Sequence, residues 1–428
     1  MDAARRKRRD FIQNITIVLL SLLAVALFTQ TQLYNLEDNG GYFRQNTALP
    51  SSASPAPEAL TDVAAPVRVA VTGAYPYGRY ANISLTTKSD DFAPLGTLLG
   101  EALGTADSFA ASTSQAFLKA LSGVSIYYDF LSPLPLSTVA GLVGAALPDS
   151  AATVRHLVLF PHDDGTVGLS LWDGGETYLT CTISVPAADI ADTVGRYELG
   201  TAAFAFDDWN GEAPVNGLSP CSLFLLEQPE YSVLSASDPL SSTDWLLTAL
   251  GFNPHTNFRY SESSGTQVIM EGDSSLRIHT DGTVLYQSGS QPVLKIGSVQ
   301  EALSVNETVL GTEGLLSSLL GNFSSSAAFY LLELQQSGAT SVLRFGYHVD
   351  GLPIRFSDGG FAAEVTLEGS EVTKLSLRFR QYTLSDESAR LLPLKQALAI
   401  AAGHPGAELA VGYADNNGDT VSAQWLLE

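Results

Sequence analysis

Histidines and carboxylates are the residues from which a metal site or an acid–base site would be built in this chain. None of the six histidines stands three or four residues from another, so no helical pair of metal ligands is present. The run His162-Asp163-Asp164 could provide ligands to a metal ion, but a polar hairpin turn explains it better. Asp415–Asp419 begins like a calcium loop, yet Thr420 and Leu426 stand where that loop needs Gly and Glu. A hairpin turn is the better interpretation there too.

The motifs of nucleotide-binding and nucleophilic enzymes are missing as well. The chain contains no Gly-x-Gly, no P-loop and no Gly-x-Ser-x-Gly elbow, and no lysine follows a serine by three residues. We therefore expect no catalytic residue, no metal site and no cofactor. A wall-active hydrolase whose site is assembled only in space remains the enzymatic alternative.

The sequence predicts a mixture of helices and hairpins, and these elements would position any site. The runs 154–160, 167–172 and 177–185 alternate or are β-branched, and Asp-Gly turn signals separate them. This pattern predicts an α+β fold of antiparallel sheets with packed helices. Helices are predicted from apolar spacing and capping residues over 92–103, 112–121, 137–146, 187–197, 241–250, 299–320 and 387–402.

The N-terminal 30 residues have the pattern of a single transmembrane helix. A basic run precedes about eighteen residues without charge, 11–28, which as a helix would span roughly 27 Å. The positive-inside rule places the basic tip in the cytoplasm and the rest of the chain outside. The alternative is a signal peptide cut after Ala24-Val25-Ala26, but that site lies inside the apolar run. The basic residues that fix this topology are Arg5, Arg6, Lys7, Arg8 and Arg9.

One face of this helix carries polar and small side chains. Asn14 and Ser21 are seven residues apart, and Val18 and Val25 continue the same stripe. Such faces often mark contacts between membrane helices. The alternative is mild polarity that simply faces lipid.

The chain after the anchor divides by composition into a spacer and three folded ranges. Residues 31–65 are rich in Pro, Ser and Ala and predict an extended linker. The expected domains are an N-terminal α+β domain over 66–236, a central one over 237–325 and a C-terminal one over 326–428. Together they predict a multidomain ectodomain held outside the cell membrane.

Charge and cysteine content limit the partners and the chemistry of this ectodomain. The formal net charge is −23, which would repel nucleic acid. The two cysteines, Cys181 and Cys221, are even in number, and an exported location permits a disulfide. Two free buried thiols are the equal alternative, because both lie in apolar, strand-like runs.

Two segments resemble the YycH-type regulatory proteins of Gram-positive bacteria. Over 245–289 the chain reads WLLTALGFNPHTNFRY and then SSLRIHTDGTVLYQSG, which looks like the central segment of that family. Over 345–356 it reads FGYHVDGLPIRF, similar to the family's "Gly-Leu-Pro-Ile" element. The later LLPLKQALAIA, with the strands before it, looks like a PepSY-type module.

This resemblance implies regulation without catalysis. Family members associate with a YycI-type sister protein and with the WalK sensor histidine kinase, partly through their membrane helices, and that kinase system controls cell-wall metabolism. The expected function is thus a membrane-anchored extracytoplasmic regulator of a histidine kinase. The alternative is an anchored or secreted binding module for a wall polymer, a peptide or a small ligand.

Overall fold

Short β-branched and aromatic runs, separated by turns, form most of the fold. This computed structural model describes residues 68–75, 78–82, 92–106, 108–145, 147, 152–197, 202–207, 215, 217–225, 227–237, 243–255, 258–296, 303–320 and 325–428. They all belong to one compact unit, Ser54–Glu428. Within the described residues the architecture is mixed α+β with mostly antiparallel sheets, which confirms the predicted class at this level.

The described strands number from β1 to β23 in chain order. They are β1 Arg68–Tyr75, β2 Gly78–Asn82, β3 Ala110–Ala111, β4 Ser125–Pro135, β5 Thr153–Pro161, β6 Val167–Trp172, β7 Tyr178–Ile183, β8 Ala202–Phe204, β9 Leu223–Leu225, β10 Tyr231–Ser237, β11 Phe258–Ser261, β12 Gln267–Glu271, β13 Ser274–Ile278, β14 Thr283–Gln287, β15 Ala328–Ser337, β16 Thr340–Val349, β17 Leu352–Phe356, β18 Ala363–Glu368, β19 Glu371–Arg378, β20 Gln381–Ala389, β21 Leu409–Asp415, β22 Thr420–Val421 and β23 Ala423–Leu427.

The described residues contain fewer helices than strands. They are α1 Phe92–Gly104, α2 Ser114–Ser122, α3 Leu136–Leu142, α4 Ala187–Val194, α5 Asp244–Ala249, α6 Val305–Leu320 and α7 Leu394–Ala401.

The first sheet has the strand order β2-β1-β4-β5-β6-β7-β3 and is antiparallel throughout. Its consecutive hairpins β5–β6–β7 confirm the prediction from alternating runs. Gly165 and Gly174 have φ angles of 85° and 87° in the two turns, a region that glycine adopts without strain. Strands of this sheet carry the row of side chains that forms the candidate site described below.

The second sheet is larger and runs from β11 to β23. Its strand order is β11-β12-β13-β14-β19-β18-β16-β17-β21-β23, and β15 pairs with β16. The pair β17–β21 is parallel, whereas the other pairs are antiparallel. The meander 258–287 and the C-terminal strands therefore share one sheet.

A small sheet joins the two halves of the sequence. Strand β10 pairs with β20 and with β22, in the order β20-β10-β22. One hydrophobic cluster also extends from Val69 in the first sheet to Ala423 in the second. The ends of the expected 66–236 and 326–428 ranges are thus in direct contact.

Helix α1 shows why the apolar spacing was informative. Leu95, Leu99 and Leu103 stand four residues apart and are completely buried. The hydroxyl of Tyr128 in β4 donates to the Leu95 carbonyl at 2.9 Å, which fixes the helix on the sheet. Helix α2 has Thr113 as its N-cap, and its Oγ1 accepts from Ala116 N at 3.2 Å.

The start of one predicted helix differs from the structure. A helix was expected to begin at residue 387, but α7 begins at Leu394, because 381–389 pairs with β10 as strand β20. No helix among the described residues is both long and apolar enough to cross a membrane.

Candidate functional site

A single transverse row of side chains crosses five strands of the first sheet. Arg68 lies directly opposite Asp129, Asp129 opposite His156, His156 opposite Trp172, and Trp172 opposite Tyr178. Directly paired residues of neighbouring antiparallel strands point to the same face and touch. The register of the sheet therefore brings an ion pair, an imidazole and two aromatic rings into one line.

The charged end of the row is completely buried. Asp129 is 0% exposed, and its Oδ2 accepts from Arg68 Nε at 2.8 Å and also from Arg68 Nη2. Its Oδ1 accepts from the backbone N–H of Leu131 at 2.8 Å and lies 3.8 Å from Arg155 Nε. A buried carboxylate needs such partners, because an isolated buried charge is very costly.

Two glutamates from the C-terminal part of the chain complete what we call the charge cluster, namely Arg68, Asp129, Arg155, Arg355, Glu408 and Glu428. Glu408 accepts from Arg68, and its Oε2 accepts from Arg155 Nη2 at 2.7 Å. Glu428 lies 3.5 Å from Arg155 Nη2 and also accepts from Arg355. Three arginines thus face three carboxylates. The cluster ties β1 and β5 to the two ends of the β21–β23 hairpin.

The two central carboxyls of the cluster differ in proton affinity. Burial alone would raise the pKa of Asp129, but Arg68, His156 and Arg155 outweigh it and hold that pKa below its usual range. For Glu408 burial is the larger effect and raises the pKa, although Arg68 and Arg155 oppose it. Asp129 is consequently the firmly charged partner of the arginines.

His156 is a neutral imidazole inside an aromatic stack. Burial lowers its pKa to about 3, despite the nearby Asp129. Its ring stacks on Trp172 with centroids 4.7 Å apart, and Trp172 stacks on Tyr178 at 5.4 Å. The Tyr127 hydroxyl lies 2.7 Å from Nδ1. Both neutral tautomers of the ring fit this contact, since the hydroxyl can donate to Nδ1 or accept from it.

A cavity of about 610 Å³ opens beside this row. Its wall combines the aromatic residues Trp172, Tyr178 and Phe206 with apolar residues from α2 and from the segment 215–220. Arg155, His156, Glu408 and Glu428 line the same cavity. Small-molecule sites typically have this volume and this mixture of apolar wall and few polar groups.

Three polar atoms of the lining residues lack a hydrogen-bond partner within the described part of the chain. They are Arg155 Nε, His156 Nε2 and Ser219 Oγ. His156 is 0% exposed and Ser219 is 7% exposed, so bulk water does not readily satisfy them. An unmade hydrogen bond of a buried group costs about 1–3 kcal/mol. All three atoms are themselves buried, so this cost lies inside the fold behind the cavity wall.

The same atoms do not form an assembled nucleophile–base pair. Since neither His156 Nε2 nor Ser219 Oγ has a partner among the described residues, the two are not hydrogen-bonded to each other. A histidine with a pKa of about 3 is also a weak base at neutral pH. The arrangement is therefore suited to holding a ligand more than to activating a nucleophile.

The predicted turns carry no cluster of metal-ligating side chains in the described ranges. The backbone N–H of His162 donates to Thr166 at 2.7 Å, and the Asp164 carboxylate accepts from Thr166, which confirms the hairpin turn. Asp415 is buried against Arg380 Nε at 2.8 Å and the Tyr382 hydroxyl at 2.7 Å. Its carboxylate therefore holds the turn between β21 and β22 in place, and the turn interpretation is confirmed.

The two cysteines are both free and buried. Cys181 belongs to the large core cluster and Cys221 to the smaller cluster beneath α2. Of the two alternatives that the sequence leaves open, the structure therefore has two separate thiols. Burial raises the pKa of Cys221, which keeps it in the unreactive thiol form.

The residues of the predicted membrane anchor lie outside the described residues. This applies to the topology-determining residues 5–9 and to the contact face through Asn14, Val18, Ser21 and Val25. The linker 31–65 lies outside them as well.

Comparison with known proteins adds no relative. Searches of protein-family models, of curated proteins and of solved structures find no match to this chain.

Sequence reasoning missed the residues that form this site. None of Arg68, Asp129, Arg155, His156 and Glu408 had been assigned a role as a site residue. The available signal was a charged residue inside an otherwise apolar strand, as in VSIYYDFL and TVRHLVLF. Such residues are buried only when a partner is present.

Proposed function

We propose that this chain is a membrane-anchored extracytoplasmic binding module that holds a small polar ligand in the cavity beside the transverse row of side chains. The observation that carries the proposal is the cavity of about 610 Å³, whose lining combines aromatic and apolar residues with Arg155, His156, Glu408 and Glu428. Small-molecule sites typically combine an apolar wall with a few polar groups in this way.

Binding without turnover is the chemistry that we assign to this cavity. Asp129 and Glu408 are occupied by arginines, and His156 is neutral and weakly basic. His156 Nε2 and Ser219 Oγ, a base and a hydroxyl of the described wall, are not in hydrogen-bond contact. We accordingly propose a protein that is not an enzyme.

The Arg155–Glu408 ion pair in the cavity wall gives ligand binding a regulatory role. Arg155 reaches Glu408, 253 residues away, and that ion pair lies in the cavity wall. A ligand that contacts Arg155 changes the surroundings of a link between the first sheet and the C-terminal hairpin. A protein responds to a ligand when the ligand favours one arrangement of such a link.

The experiment for cavity binding is a thermal-shift screen of the full chain against sugars, amino acids, short peptides and phosphates. At one hundred times its Kd a ligand stabilises the folded state by about 2.7 kcal/mol. We expect at least one compound to raise the Tm, and Ser114→Trp to abolish that rise, because exposed Ser114 lines the cavity.

The matched control is Ser122→Trp, which places the same ring on the exposed far end of the same helix, away from the cavity lining. The control should keep the ligand response. A response that survives Ser114→Trp, or the absence of any response, would contradict cavity binding.

The second candidate function is regulation of a sensor histidine kinase through the membrane helix. The basic tip before the apolar run, together with the likeness to YycH-type proteins, favours it. A YycI-type sister protein and the kinase are then the partners. The acidic ectodomain lies outside the cell and does not bind nucleic acid.

Substitution of the polar residues on one face of the predicted membrane helix tests this second candidate function. We expect Asn14→Leu combined with Ser21→Leu to reduce co-purification with the kinase and to reduce its signalling output, because the face loses its polar contacts. Ile15→Leu combined with Leu22→Ile is the control, since it has the same spacing on another face. Unchanged co-purification of the polar-face variant would reduce the helix to a tether.

A further inference from the structure

A second cavity, of about 320 Å³, lies against the C-terminal hairpin β21–β23. We call it the hairpin groove, and its wall includes Leu392, Ile400, Leu409, Trp425 and Leu427. We propose that it is the docking site of residues 57–67 of the same chain, PEALTDVAAPV, which directly precede β1 and lie outside the described residues. The groove is distinct from the cavity of the proposed function, and its occupant belongs to the chain itself.

The wall of the hairpin groove is apolar and partly exposed. Leu392, Ile400 and Leu427 are 52%, 59% and 39% exposed, and all three line the groove. The indole N–H of Trp425 donates to the Leu392 carbonyl at 2.8 Å, which ties the segment before α7 to β23. Large apolar side chains that are exposed together mark a docking surface.

The groove also borders an unpaired strand edge. Strand β23 pairs with β21, and no other described strand pairs with it. Glu408 and Glu428 exchange both backbone hydrogen bonds, each at 2.9 Å. Because bonded and non-bonded pairs alternate along antiparallel strands, the N–H and C=O groups of Trp425 and Leu427 point away from β21. An extended segment in the groove can pair with these groups.

The point at which the segment joins the fold selects it as the occupant. Its last residue precedes Arg68, whose guanidinium donates to the Glu408 carboxylate. The next residue of the hairpin, Leu409, lies opposite Leu427, and both line the groove. Side chains alternate between the two faces of a strand, so Glu408 faces the charge cluster and Leu409 faces the groove. The segment therefore has only to pass round the edge of the hairpin to which it is already joined.

The length and composition of the segment fit this path. Its eleven residues span up to roughly 36–40 Å when extended, whereas the five residues of β23 rise about 17 Å. Leu60 and Val63 supply large apolar side chains, and alanines stand next to both. A tethered segment also has a high effective concentration at the groove. A second copy of the chain lacks that advantage and approaches against the repulsion of a net charge of −23 on each molecule.

Docking changes the reach of the folded unit. With 57–67 in the groove, only residues 31–56 remain as a free tether after the predicted anchor. The hairpin groove thereby sets how far the folded unit can stand from the membrane.

Amide hydrogen exchange of the full chain in lipid nanodiscs tests the docking. We expect the amides of Trp425 and Leu427 to exchange at least about tenfold faster when Leu60→Ser is combined with Val63→Ser, because the docked segment protects them. The matched control is Leu36→Ser combined with Leu49→Ser, which places the same kind of change elsewhere in the linker. Equal exchange rates in the wild type and the 60/63 variant would overturn the proposal.

A change in the groove gives the reciprocal measurement. Ile400→Asp places a charge at a 59% exposed position, so the fold should tolerate it, and we expect the amides of 59–65 to lose their protection at least about tenfold. The control is Leu384→Asp, because Leu384 is 52% exposed but does not line the groove. An equal effect of the two variants contradicts docking in this groove. Protection of Trp425 that rises with protein concentration indicates a second copy and contradicts it as well.

Discussion

Replacement of Asp129 by asparagine tests the charge cluster most directly. Asp129 accepts from Arg68 Nε at 2.8 Å and from Leu131 N at 2.8 Å, and its charge also faces Arg155 at 3.8 Å. An asparagine Oδ1 could keep the bond to Leu131. Its Nδ2 donors would then face the guanidinium donors of Arg68, so two N–H groups would meet where an acceptor is needed.

The expected cost follows from burial. Asp129 is 0% exposed, and the side chain of Arg68 is only 11% exposed, so solvent does not screen the loss. Removal of one partner of a buried ion pair costs about 3–5 kcal/mol. Glu408 also pairs with Arg68 and places the cost toward the lower end of that range. In one compact unit that spans Ser54–Glu428, this change in the free energy of unfolding corresponds to a fall in Tm of about 4–5 °C.

Differential scanning calorimetry of the full chain at pH 7.5 measures this fall. The control is Glu371→Gln, which breaks the ion pair with Lys295, whose two side chains are 38% and 45% exposed. Such surface pairs contribute about 0–1 kcal/mol, so the control should change the Tm by only about 1 °C or less. If Asp129→Asn and Glu371→Gln lowered the Tm equally, the reasoning on the buried cluster would be refuted.

Three further predictions concern His156, the Asp415 turn and the thiols. The pKa of His156 is about 3 in the folded chain, well below the value of about 6.5 expected in the unfolded chain. As the pH falls from about 6.5 toward 3, the unfolded chain takes up a proton that the folded chain does not, so the free energy of unfolding decreases. His156→Gln should therefore lessen the Tm difference between pH 7.5 and 5, and an unchanged difference would refute the assignment. Tyr382→Phe removes the 2.7 Å bond to Asp415 and should cost about 1.5–3 kcal/mol in urea unfolding, whereas a loss under 0.5 kcal/mol would contradict it. Because Cys181 and Cys221 are free, a reductant should leave the Tm unchanged and the unfolded, unreduced chain should titrate two thiols; a Tm lowered by reductant would indicate a disulfide.

Local patterns predicted the elements that depend on neighbouring residues. The hairpins β5–β6–β7 follow from alternation and Asp-Gly turns, and α1 follows from apolar residues spaced by four. The start of α7 could not be predicted in this way, because 381–389 becomes a strand only through pairing with β10, about 150 residues earlier. Tertiary pairing overrides local helix propensity in such segments.

The candidate site could be predicted only in part for a related reason. Burial of Asp129 and Arg155 was visible as charge within apolar strands, and their need for partners follows from physics alone. The identity of those partners depends on register and on chain crossings. Arg68 meets Asp129 through the β1–β4 register, and Glu408 reaches Arg68 across 340 residues. No spacing rule within one segment contains that information.

The transverse row shows how one register determines a whole site. A shift of one residue in the β5–β6 pairing would move His156 out of line with Trp172 and would turn one of them to the opposite face. The β4 bulge between Asp129 and Leu134 ends the regular pairing at the point where Arg155 enters the cluster. The ion pairs and the ring stack therefore depend on the same strand alignment. A ligand that binds in the cavity beside the row should slow the exchange of the β5–β6 backbone amides with deuterium, since it stabilises the one alignment in which the row exists.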